Sequence, residues 1–156
     1  MQPLTVMIQP YVKKWVKSVY GKEPVYLRSD GDLGKIIFLA FSKDYTLPLT
    51  SVDLVVDMVG VDKAKMGFHK LKLAVSFPIA QSKITSLNIE RICIAIENEF
   101  EKAMYFYALA ARDIGLSERQ AVKMFLHKYK IHEDILKEDT AVKMAQRKRE
   151  KMEAKS

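Results

Sequence analysis

The chain has 156 residues, 49% hydrophobic and 29% charged, a globular balance that excludes whole-chain disorder and suits one ordinary domain. Its 26 basic and 19 acidic residues give a formal net charge of +7, which favours polyanionic partners such as nucleic acid without demanding them. A single cysteine, Cys93, excludes an intrachain disulfide and fits a reducing, cytoplasmic setting.

The first element predicted is a helix over 10–20. Within 6–20, Ile8, Val12, Trp15, Val16 and Val19 recur at spacings of three and four, Pro10 suits the first turn, and Gly21 ends the run. Residues 24–28 read as a short strand, followed by a turn at Ser29-Asp30-Gly31-Asp32 in which Asp30 or Asp32 caps a helix. That helix presents Leu33, Ile36, Ile37, Ala40 and Phe41 on one side. Gly31 and Gly34 flank Leu33, but the Gly-Lys-Ser/Thr ending and the GxGxxG spacing of phosphate loops are missing. The valines Val52, Val55, Val56 and Val59 favour a helix at 50–59 by period, and a loop follows from Gly60 to Gly67. Residues 69–77 alternate as a strand: Leu71, Leu73, Val75 and Phe77 face one way, Lys70, Lys72, Ala74 and Ser76 the other. One wet face implies mainly antiparallel pairing.

From Ser86 onward the pattern is wholly helical. Ile89, Ile92, Cys93, Ile96, Phe100, Ala103, Tyr107, Ala110 and Ile114 mark a stripe along one long helix. Tyr105, Phe106 and Tyr107 add an aromatic cluster expected in the core, so that the helix belongs to the core or to a dimer interface across 86–114. Gly115 breaks it, a second helix is expected over 117–129, and a last one over 132–153. The whole reads as one α+β domain, 1–156: a mixed part at 1–85 with N-terminal helices and a small antiparallel sheet, then a helical part at 86–156.

The joint between the long helix and the next carries the one local motif. Ala111, Gly115, Leu116 and Ala121 stand where a close helix crossing and a tight turn need a small residue, a glycine, a hydrophobe and a second small residue. Ile114, Met124 and Phe125 occupy the accompanying core positions. Over about 20 residues this stretch resembles the helix-turn-helix family. The resemblance implies a recognition helix from Ser117 to Lys128, set in the major groove of duplex DNA. Glu118, Arg119, Gln120 and Lys123 would then be its groove-facing side chains, since arginine and glutamine read guanine and adenine edges and lysine meets phosphate, while Ser117 caps the helix and counts with Arg119, Gln120 and Lys123 among the DNA contacts. Arg147, Lys148 and Arg149, in a C-terminal run rich in cations, would form a phosphate-contacting arm. The uninterrupted first helix and Glu118 depart from the family pattern. The alternative reading of the same residues is a plain helical hairpin.

A second resemblance covers most of the chain. Tyr11-Val12-Lys13-Lys14 before Gly21, Asp32-Leu33-Gly34, and Ala121 through Tyr129 before a basic helix are similar to small proteins of prophages and other mobile elements of gut bacteria. This implies a setting but no activity.

Catalytic constellations do not emerge. His127 and His132 lie five apart, outside the spacing of helical metal sites, and His69 stands alone beside a strand. Cys93 sits among Ile92, Ile94 and Ile96 as a buried thiol. No cofactor or metal is expected, and the chain does not read as an enzyme. The charge is spread over both parts: 12 basic against 7 acidic residues in 1–85, and 14 against 12 in 86–156. No leader segment and no apolar run approaching ~18 residues stands in the sequence, so no membrane partner is expected. Two functional readings follow: a DNA-binding or regulatory protein of a phage or mobile element, or a non-catalytic interaction or assembly protein without nucleic acid.

Overall fold

In a computed structural model, residues 1–41 and 62–155 are described. The helix expected at 50–59 lies outside them. The elements are β1 (Gln2–Ile8), α1 (Pro10–Tyr20), β2 (Val25–Leu27), α2 (Asp32–Ala40), β3 (His69–Val75), a short 3-10 turn (Gln81–Lys83), α3 (Ser86–Asp113), α4 (Glu118–Lys128) and α5 (Glu138–Ala154). This is an α+β arrangement. Contacts divide it into two compact units, Met1–Glu97 and Asn98–Ser156, so the division falls inside α3.

In the first unit the sheet order is β1-β3-β2. β1 pairs antiparallel to β3, with Thr5 opposite Lys72, whereas β2 pairs parallel to it, with Tyr26 beside Ala74. The sheet is therefore mixed and not antiparallel throughout. The helix expected over 10–20 is α1, and the strand β1 precedes it, over residues whose Ile8 also fits the helical spacing. Leu4, Val6 and Ile8 alternate with period two and are all buried, and Pro10 starts α1 only after the strand ends. Leu71, Leu73 and Val75 of β3 and Val25 and Leu27 of β2 complete the buried face. Val12, Trp15 and Val16 of α1, Leu33 and Ile37 of α2, and Ile92 and Ile96 of α3 supply further core in this unit.

Two local details decide how these elements fit. No aspartate side chain caps α2: Gly31 is its N-cap and makes no side-chain bond. Gly34 is there for contact. A Cβ at this position would lie 1.7 Å from the Arg28 carbonyl oxygen, so only glycine lets α2 pass the backbone leaving β2. At the start of α3, the Thr85 hydroxyl accepts from the Asn88 N–H at 3.2 Å, closing the helix end.

The second unit is helical. Phe125 is its hub, with ring centroids 5.7 Å from Phe100, 5.6 Å from Tyr107 and 4.9 Å from Tyr129. Met104, Val122, Leu126, Ile131, Leu136, Val142 and Ala145 are buried with it. α5 begins at Glu138, six residues later than its periodicity suggests, because residues 129–137 turn first. Lys130 adopts a positive φ of 55° there, and the Ile131 N–H reaches back to the Leu126 carbonyl at 2.8 Å. The Glu133 carboxylate then accepts from the Glu138 N–H at 3.1 Å and caps α5.

Candidate nucleic-acid interface

The joint between α3 and α4 has the local form its sequence suggests. Gly115 takes φ +85°, its N–H bonds the Arg112 carbonyl at 3.0 Å, and the Leu116 N–H reaches the Ala111 carbonyl at 3.1 Å. Those two bonds form a Schellman helix end, in which the residue after the left-handed glycine packs back on the last turn. Leu116 does so, against a cluster of Ala108, Ala111 and Ala121. The small residues thus serve a close contact of α3 with α4.

Ser117 and Gln120 are occupied with each other. The Ser117 hydroxyl accepts from the Gln120 N–H at 3.2 Å, and the Gln120 carboxamide oxygen accepts from the Ser117 N–H at 2.9 Å. This reciprocal capping box satisfies two orphan donors of α4. Read as a sequence, S-x-x-Q signals this cap as directly as it signals a groove contact.

The arginines are held by acids. Arg119 Nη1 lies 3.0 Å from Glu138 and 2.9 Å from Asp139 in the first turn of α5. Hydrogen bonds to Asp139, then Glu138, raise its guanidinium further above the ordinary range. Arg149 Nη1 lies 3.0 Å from Glu118. Lys148 is buried, and burial holds its ammonium below the ordinary range against a favourable pull from Glu101. Lys123 and Arg147 remain exposed, Arg147 bonding the Lys143 carbonyl at 3.4 Å. Of the seven candidate contacts, Lys148 is buried, Ser117, Gln120, Arg119 and Arg149 are engaged in a cap or ion pairs, and Lys123 and Arg147 are exposed with no acidic partner among the described residues. Lys123 and His127 border a cleft of about 290 Å³ with His132, Glu133 and Glu138 across it, so its rim carries both signs of charge.

Two positions expected in the core turn outward. Ile114 is 77% exposed and Met124 47%, while Phe125 is fully buried as expected. Phe106 is also half-exposed, and Ala110 faces water. The α3 stripe is real, but from residue 103 its line leaves the core. Burial passes instead to Met104, Ala108 and Ala111, one position further along. Of the 4-3-4 run Ala103, Tyr107, Ala110, Ile114, Ala110 and Ile114 are left exposed on the outward flank with Phe106 beside them, while Ala103 and Tyr107 are half-buried, Tyr107 against Phe125. Lys128 lies 5.7 Å from the Tyr107 ring, which puts Met124, one turn earlier in α4, on the same flank.

One buried polar cluster had no signal in the sequence, because its members are far apart in the chain. Lys63 Nζ lies 2.6 Å from Glu90 Oε1, donates to the Met7 carbonyl at 2.7 Å and stands 4.6 Å from the Phe68 ring centroid. Cys93 is next to this group. Burial, the largest cause, pushes its thiol up to about 12. A thiol so protonated is no nucleophile, and the cluster reads as a structural tie between the loop before β3, the edge of β1 and α3.

Comparison with protein families, with curated proteins and with solved structures found no match. No helix among the described residues is long and apolar enough to cross a membrane.

Proposed function

We propose that this chain is a non-catalytic interaction protein that self-associates through the outward flank of α3. The carrying observation is the exposure of Phe106 and Ile114 beside Ala103 and Ala110, at the spacing that seats one helix against another. Alanines allow close approach, and the larger side chains fill the gaps between turns. The stripe from 103 to 114 spans about 16 Å at 1.5 Å per residue, about three turns. Several exposed apolar side chains on one flank favour an association site, whereas single exposed hydrophobes do not. The neutralised arginines of α4 and α5 support the same reading, since groove-reading cations would have to give up acidic partners first. Ala110→Cys in a Cys93→Ser background tests it. Mild oxidation is expected to join two copies by a disulfide; a chain that stays monomeric under the same oxidation contradicts the reading.

A second reading, duplex DNA held by α4, rests on the tight turn, the alanine crossing and two exposed cations with no acidic partner among the described residues, Lys123 and Arg147. Under it, binding is steeply salt-dependent and falls on Lys123→Ala. Fluorescence anisotropy with a labelled duplex at low salt decides it, and absence of binding there removes it.

A further inference from the structure

The open face of the sheet in the first unit carries what the α4 surface lacks. Along β3, Lys70 and Lys72 point away from the core and are exposed. The pairing register sets Thr5 beside Lys72, Met7 beside Lys70, and Pro3, Ala74 and Tyr26 in one row across the three strands. Tyr26 is 49% exposed although its strand neighbours Val25 and Leu27 are buried. None of the three strands contains an aspartate or glutamate. Acids at the strand ends are engaged elsewhere, Glu23 by Lys13 at 3.2 Å and Asp30 by Arg28 at 3.1 Å. Among the described residues, the side chains of Tyr26, Lys70 and Lys72 have no hydrogen bond, ion pair or ring contact.

We propose that this face is a platform for single-stranded nucleic acid, with a base on the Tyr26 ring and the backbone phosphates on Lys72 and Lys70. The exposed Tyr26 ring and the exposed Pro3, with buried Ala74 between them in the row, offer a surface on which an unpaired base can stack. The two ammonium groups stem from positions about 6.8 Å apart along one strand, in line with the row below the ring. That order suits a strand running along β3. Bases in a duplex are already stacked on one another and cannot use the tyrosine, so the chemistry selects single strands. The inference is independent of the α3 flank.

The test is fluorescence anisotropy of a short labelled oligothymidylate with this chain, with an unlabelled duplex as competitor. Two phosphate contacts predict a slope of log K against log salt of about −1.4, and Lys72→Ala brings it to about −0.7. Tyr26→Ala is expected to weaken binding about tenfold or more, and Tyr26→Phe to leave it unchanged. Circular dichroism of each variant checks that these exposed substitutions leave the fold intact. The proposal is overturned by any of three results: no binding at low salt, a duplex that competes as well as a single strand, or Tyr26→Ala binding like the parent chain.

Discussion

Removing the Lys63 ammonium probes the fold where its charges are most buried. Lys63 and Glu90 are 8% and 6% exposed, and Glu90 Oε2 has no hydrogen-bond partner. Lys63→Met therefore strands a buried carboxylate that has lost its ion pair with Lys63, a loss of about 3–5 kcal/mol. Glu90→Leu is milder, about 2–3 kcal/mol, because Lys63 keeps the Met7 carbonyl and the Phe68 ring. The double variant leaves only the Met7 carbonyl orphaned, at about 1–2 kcal/mol. The expected order of destabilisation is Lys63→Met, then Glu90→Leu, then both together, with a coupling of about 3 kcal/mol or more. Trp15, the chain's one tryptophan, is buried in the same unit, so its fluorescence during urea unfolding reports on the region that holds the pair. A double variant as unstable as the sum of the singles would refute the reasoning, since it would mean that the two side chains do not depend on each other.

Other expectations concern single positions. Gly34→Ala should destabilise the first unit by about 3 kcal/mol or more by urea unfolding, because the added methyl meets the backbone of Arg28 and not a side chain that can move. Lys130→Gly should stabilise by up to about 1 kcal/mol in thermal melts, since Lys130 holds a left-handed conformation that glycine adopts freely. Cys93 should resist Ellman's reagent in the native chain and react once urea unfolds it. Its folded pKa of about 12 exceeds the ordinary 9.0. The thiol's contribution is thus fully present below pH 9 and lost as pH rises towards 12, so stability measured by urea should fall across that window.

Much of the fold was legible wherever one physical rule acted alone. The alternation in β3, the punctuation of α1 by Pro10 and Gly21, and the turn at Gly115 all follow from local chemistry. β1 was missed because Leu4, Val6 and Ile8 run into the helical spacing of Val12, Trp15 and Val16, and period two gives way to period 3.6 only at Pro10. The parallel pairing of β2 could not be read from three residues. The site was harder. Ser117, Gln120, Ala111 and Ala121 have a helix-end explanation as complete as their groove-facing one, and sequence alone weighs neither. Arg119 finds Glu138 and Asp139 about twenty positions away, and Lys63 finds Glu90 at a similar distance, so neither engagement shows in local spacing. The apolar stripe of α3 told which residues are greasy but not that its last two turns face water.

Sedimentation velocity over a concentration series, on the parent chain and on Ile114→Glu, addresses the α3 flank most directly. The parent is expected to shift from monomer to dimer as concentration rises. Ile114→Glu should stay monomeric with an unchanged melting temperature, since the side chain it replaces is 77% exposed. A parent chain that sediments as a monomer throughout, or a variant that dimerises as well as the parent, would contradict the account.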